Sequence, residues 1–238
     1  MDPKPIPHHN FRLPALLLTL LVVAGCATAP TNVQQIDRLE SVKENPRVLL
    51  MPPDIRYYQI SAGGIAEPHA EWTSAAQTNF AASVAAYADR IGTELVVMDD
   101  SDLTQDEIRY NKLHEVVGTT VLVNHFGMLT LPAKDGTFDW SLGPGIADVA
   151  KDYDADYGLF VFYRDEQATG GRVALAVLAA AAGAYMSAGN EYGFASLVDL
   201  RTGDLVWFNV VVAGSGELRD PDGADTAVAR LFQDMPAR

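Results

Sequence analysis

Residues able to carry chemistry are few and thinly spaced in this sequence. Asp99, Asp100 and Asp102 cluster behind the apolar run Leu95 to Met98. Carboxylates just past a strand stand where open α/β sheets hold ligands, and oxygen donors suit a hard divalent cation. The same three residues also read as an acidic loop leading into a helix cap. His69 stands between Glu67 and Glu71 and carries the same two readings. His114 and Glu115 are adjacent, so on a helix they point to different faces. Together with His125, no histidines fall in the HExxH spacing that puts two imidazoles on one helix face. The sequence holds no GxSxG elbow, no GxxxxGK[ST] phosphate loop and no GxGxxG between a strand and a helix. Gly214-Ser215-Gly216 lacks the lysine that a phosphate loop needs. The expectation is therefore no enzyme, no cofactor and no resident metal. A metal-binding hydrolase built on Asp99, Asp102 and a histidine is kept as an alternative.

Cys26 is the only cysteine, so no internal disulfide can form. Arg12, the run Leu13 to Val23 broken only by Pro14 and Thr19, and then Ala24-Gly25 have the order of a secretory signal. The run falls short of the ~20 residues of a spanning helix. An ordinary cleaved signal would leave an unpaired thiol in an oxidising compartment. Val23-Ala24-Gly25-Cys26 instead resembles the lipobox of bacterial lipoproteins. That resemblance implies cleavage before Cys26, a diacylglycerol on its sulfur and a further acyl chain on the freed amine. One chain anchors only marginally, whereas two or more anchor stably. Ala27 after the cysteine, rather than Asp, implies sorting to the periplasmic face of the outer membrane. Residues 1–25 are thus expected to be a signal peptide, 26–45 a lipidated tether and 46–238 a single domain. Within the tether, Ala27 to Asn32 is small and polar, and 33–45 holds at most a short helix on Ile36, Leu39 and Val42.

The formal charge is −14, and about −15 without the segment bearing Asp2, Lys4 and Arg12. Such a surface repels nucleic acid and anionic head groups, so no nucleic-acid partner is expected. Hydrophobic residues make up 48% of the chain, too many for a disordered stalk, and the folded part is of a size for one core.

The elements read in order. Val48 to Met51 is a buried strand stopped by Pro52-Pro53, and Ile55 to Ile60 is a short extended segment ended by Gly63-Gly64. Trp72, Ala76, Phe80, Val84, Tyr87 and Ile91 give a helix one apolar face, with Gly92 as its stop. Glu94 to Met98 reads as another buried strand. Thr104 and Glu107 have capping-box spacing for a second helix, expected to weaken over the β-branched Thr119 to Val123 and to end near Phe126-Gly127. Residues 129–143 are loop-like, and Pro144 starts a third helix. Tyr157 to Tyr163, Ala195 to Leu200 and Leu205 to Val212 are strands, the last two a hairpin, and Ala224 to Phe232 is a closing helix. This order predicts an α/β fold: one mixed sheet flanked by helices, with a carboxy-terminal antiparallel hairpin.

Three stretches are similar to the curli-export lipoprotein CsgG and to the amino-terminal domain of TolB. They are Val48 to Pro53, Asp154 to Val161 and Leu197 to Trp207. Asp154 stands where the family's GADY entry has glycine, and Asp204 where its DxRTGE hairpin has glutamate. The resemblance spans roughly residues 46–235. It implies a CsgG/TolB-like core in an envelope protein that self-associates or docks on an envelope partner, and no enzyme. It assigns Asp199, Arg201, Thr202, Gly203 and Asp204 to a structural turn. A component of an outer-membrane secretion pore is the further alternative.

Val173 to Gly189 is a run of Ala, Val, Leu and Gly without alternation. It reads as a packed helix between two strands, or as a segment contacting membrane or another subunit, with Ala180, Gly183 and Ser187 as the small contact residues.

Overall fold

The computed structural model describes residues 31–35, 46–91, 94–98, 103–127, 129 and 131–236. The expected signal peptide, Cys26, the part of the expected 33–45 helix at 36–45 and the Asp99, Asp100 and Asp102 cluster lie outside the described residues.

Strand β6 (Tyr157–Ala168) is the spine of the fold. Its alternating side chains all find apolar or paired surroundings: Leu159, Val161 and Tyr163 face one layer of helices, and Phe160 and Phe162 the other. On one flank β6 pairs in parallel with β2 (Arg47–Leu50) and then with β3 (Asp54–Ile60). Pro52-Pro53 breaks what would otherwise be one strand into two consecutive partners, because proline cannot donate to a ladder. On the other flank β6 pairs antiparallel with β7 (Gly189–Asp199), which forms the expected hairpin with β8 (Leu205–Val212). The short β4 (Ala66–Pro68) folds back on β3, and β5 (Glu94–Val97) adds in parallel to β2. β1 (Thr31–Gln35) closes the far edge on β8, giving the order β1-β8-β7-β6-β2-β5. The fold is α/β, one mixed sheet with helices packed on it.

Helix α1 (Ala70–Ile91) lays Ala76, Phe80 and Val84 on one face of the sheet, beside α5 (Pro221–Leu231). Asp220 caps α5 by accepting from Gly223 N, and the buried Asn209 of β8 donates to the carbonyls of Arg230 and Leu231 at its far end. On the opposite face lie α2 (Gln105–Asn124), the loop carrying Phe138 and Leu142, and α3 (Ala147–Tyr153), which a 3₁₀ turn at Pro144–Ile146 introduces. The capping box at Thr104 and Glu107 is formed, and the buried Glu107 also accepts from the Tyr153 hydroxyl at 3.0 Å, tying α3 to α2. The last helix, α4 (Gly170–Ala181), joins β6 to β7.

Four expectations need correction. α2 continues through Thr119 to Asn124 without weakening, since Val121 is buried against the sheet and tertiary packing overrides the β-branched penalty. β5 is an edge strand rather than a buried one: Val97 is 61% exposed. Thr31 to Gln35, read as tether and short helix, is a strand, because pairing with β8 needs only backbone groups. The run at 173–189 forms a helix between two strands as far as Ala181, but no residue of α4 is fully buried: one side, with Arg172, Ala176 and Ala179, is half-buried and the rest is exposed.

Candidate functional site

The hairpin turn expected from Asp199 to Asp204 is held at every position. Asp199 Oδ1 accepts from Arg201 N at 2.8 Å, and its second oxygen pairs with the Arg201 guanidinium at 3.2 Å. Thr202 Oγ1 accepts from Asp204 N at 3.3 Å. Gly203 has φ +83°, and a Cβ there would collide with the Gly143 carbonyl, so both backbone and packing require glycine. Leu142 N donates to Gly203 O and Leu205 N to Trp140 O, so the turn clamps the 140–143 loop against the sheet.

Ala180, Gly183 and Ser187 do not make the stripe expected of them. Ala180 is in the last turn of α4, Gly183 leaves the helix with φ +78°, and Ser187 lies in the return to β7. Ser187 O instead accepts from Arg172 Nε at 2.9 Å.

His69 stacks on Trp72 at 3.8 Å between ring centroids, and Glu67 and Glu71 are exposed beside it. Among the described residues no group of three or more His, Cys, Asp or Glu is placed to hold a metal ion. His114 and Ser196 share a hydrogen bond of 2.7 Å between Nε2 and Oγ. That contact has the composition of a nucleophile and its base. Both side chains are buried, the imidazole packs between Phe160 and Phe194, and burial pulls its pKa down to about 3. A neutral imidazole sealed from solvent joins α2 to β7 and meets no substrate in this conformation.

A gathering of ionisable groups lies elsewhere. On the α1 and α5 side, Tyr57 of β3, Asp165 of β6 and Glu191 of β7 stand in register across three strands. The segment after β8 brings Ser215, Glu217 and Arg219 over them. Tyr57 donates to Glu217 at 3.1 Å, and Tyr163 to Glu191 at 2.7 Å. Ser215 also donates to Glu191. Arg219 binds both Glu217 oxygens and lies over the rings of Tyr57 and Trp72. Arg219's hydrogen bonds hold Glu217 down at about 2. Asp165, only 7% exposed, accepts from the Gln167 side chain. Burial first, and then the charges of Glu191 and Glu217, push its pKa up to about 6, against the Gln167 bond and Arg219. Burial, with the adjacent carboxylates, also raises the Tyr57 and Tyr163 hydroxyls. Burial and the two neighbouring carboxylates thus make Asp165 easier to protonate than an ordinary aspartate, with Arg219 opposing them, in a cluster that faces the core.

The opposite side carries a second network. Arg164 lies 3.9 Å over the Phe162 ring and pairs with Asp54 at 3.0 Å, while also donating to the Asp54 carbonyl at 2.7 Å. Burial works against the Asp54 charge, but Arg164, Arg56 and Lys112 outweigh it and hold its pKa below the usual carboxylate value.

A surface on α2 does reach solvent. Asp106, Arg109, Tyr110 and Leu113, one helix face at i, i+3, i+4 and i+7, line an open cleft of about 440 Å³ with Leu142, Gly145 and Asp148. Leu113 then begins an exposed row that continues through Val116, 63% exposed, to Val123. The spacing could have shown this row in the sequence, since those residues recur on the side opposite the buried His114, Gly118 and Val121.

Comparison with protein-family profiles and with curated proteins finds no match. Among solved structures, the chain is similar to a PelC dodecamer from Paraburkholderia phytofirmans, at 11% identity and a TM-score of 0.40, over 89% of this chain and 100% of that one. It is also similar to the lipoprotein GNA1162 from Neisseria meningitidis (16% identity, TM-score 0.29, 70% of this chain and 78% of that one). A third similarity is to the LpoB C-terminal domain from Salmonella enterica (12% identity, TM-score 0.26, 74% and 88%). At these TM-scores the likeness is a loosely similar arrangement of strands and helices and says nothing of function.

Proposed function

We propose that this chain is an acylated lipoprotein of the bacterial outer membrane, held at the periplasmic face by Cys26, whose domain binds another protein rather than turning over a substrate. Cleavage before Cys26 and acylation of its thiol rest on the lipobox-like residues, and the CsgG/TolB-like stretches support an envelope assembly role. The observation that carries the binding role is the row Leu113, Val116 and Val123 running out of the α2 cleft. A patch of aligned large apolar residues beside a polar-rimmed cleft is what a protein interface presents before it is covered. The occupant is a second copy of this chain or another envelope protein.

A photo-reactive amino acid at Val116, activated in intact cells, tests the binding role. One discrete adduct is expected at Val116 and none from the same group at the exposed Asp89 of α1. Identical, diffuse adducts from both positions would overturn it. Growth with labelled palmitate tests the anchor: label enters the wild type and is lost in Cys26→Ser.

A further inference from the structure

Helix α4 presents a broad apolar face. Val173, Leu175, Val177 and Leu178 are all exposed, Leu178 at 65%, and at helical spacing they spread over about 200° around the axis, while Arg172, Ala176 and Ala179 on the remaining side are half-buried. A helix docking on one protein surface needs a stripe of about 100°; an exposed apolar arc about twice that width suits a helix immersed in apolar matter on its outer side. The return carries Tyr185, 94% exposed. No Asp or Glu occurs between Glu166 and Glu191, although the chain has 31 of them, and Arg172 is the only charge in that interval.

Both ends of the helix are closed from within the excursion. Thr169 Oγ1 caps the start by accepting from Arg172 N at 3.3 Å. At the other end Ala184 N donates to Ala179 O and Gly183 N to Ala180 O, with Gly183 in the left-handed region, a Schellman closure. Arg172 turns back to Ser187 O and closes the base. Backbone that caps itself is the condition for entering hydrocarbon, where water cannot serve.

The position of α4 agrees. α4 leaves from the end of β6 and returns at the start of β7, where Gln167 pairs with Gly189. β1 is antiparallel to β8, with Thr31 opposite Val211 and Val211 opposite Gly193, so the chain enters the sheet at that same end. Cys26 precedes Thr31 by five residues, which reach at most about 18 Å.

From these observations we propose that α4 with its return to Gly189 is a second membrane contact: it enters one leaflet of a phospholipid bilayer beside the acyl chains on Cys26. The inference rests on the anchored reading above. A helix of 12 residues is about 18 Å long, close to the ~15 Å depth of one leaflet and short of a span. Among the described residues no helix is long and apolar enough to cross a membrane. The strongly acidic surface fits lipid of neutral head group better than anionic lipid.

The test uses the acylated full-length protein carrying Leu178→Cys, labelled with an environment-sensitive fluorophore and bound to phosphatidylcholine vesicles whose acyl chains are brominated. The label is expected to lose most of its emission, while the same label at Asp225→Cys on α5 keeps it. Tyr185→Cys gives a second position should Leu178→Cys fold poorly. If the vesicles carry the protein yet the labels in α4 stay bright, α4 is outside the lipid and the proposal is overturned while the anchor stands. Bright labels with crosslinking between copies through α4 would assign the helix to a protein contact and overturn it too. A protein without acyl mass on Cys26 that stays off the vesicles would overturn the anchored reading, and this inference with it.

Discussion

Replacing Asp165 by Asn should make the protein more stable at neutral pH and remove part of its pH dependence. In the folded chain the Asp165 carboxyl is surrounded by Glu191 from β7 and by Glu217 and Arg219 from the segment after β8, with Tyr57 and Tyr163 beneath and Gln167 donating to it. Its pKa rises from 3.8 to about 6. The folded state therefore holds this proton more tightly than the unfolded state does. The stabilisation is complete below the unfolded value and is lost as pH rises through the folded one, across the window from about pH 4 to about pH 6. At about 1.4 kcal/mol per unit the ceiling is about 3 kcal/mol, and solvent reaching the cluster's rim brings the expected effect nearer to about 2 kcal/mol. Asn copies the protonated carboxyl in shape and cannot ionise. Urea unfolding of both proteins at about pH 4 and about pH 8 should give similar stabilities at the lower pH, and an Asn variant ahead by about 2 kcal/mol at the higher. A difference that is the same at both pH values, or a wild type that is the more stable at about pH 8, would refute the reasoning, because the carboxylate would then be well accommodated.

Other substitutions test the packing and the turns. Phe194→Ala, which removes a buried ring stacked 4.7 Å from Phe162 and 5.4 Å from Phe208, should cost about 3–5 kcal/mol in denaturant unfolding. Thr104→Ala breaks the capping box of α2 and should cost about 1 kcal/mol in the same assay, with helical circular dichroism otherwise unchanged. Gly203→Ala should lower the melting temperature by more than Thr104→Ala does, since it adds a left-handed backbone penalty of about 1 kcal/mol to a collision with Gly143. For Glu217, held down at about 2 by Arg219, the sign is the reverse of Asp165: its contribution is present above the ordinary value of 4.5 and is lost as pH falls towards 2. Glu217→Gln should therefore flatten the acid limb of the stability profile.

The sheet was legible where strands are apolar and their ends are marked by proline or glycine, as at Val48 to Pro53 and at the hairpin around Gly203. The second half of β6, Arg164 to Ala168, escaped because its residues are polar. Arg164 and Asp165 point to opposite faces, and each is buried among partners from distant elements that no local spacing announces. The Asp165 cluster was hidden for the same reason: its members come from β3, β6, β7 and the segment after β8. β5 misled in the other direction, since Leu95 to Val97 is apolar enough for a central strand and yet ends at the edge. In α4 the composition was read correctly as helical, but apolarity alone does not say whether the surroundings are protein or something else.

The placement of β1 has a mechanical consequence. Thr31 to Gln35 lie along β8, and the ladder's hydrogen bonds run across the strand direction. A force applied at Thr31 along the strand strains the bonds of β1 to β8 together instead of peeling them one after another. With the anchor proposed at Cys26, a domain moored in this way would resist drag from the bilayer, and the short strand would act as the cleat to which the line is made fast.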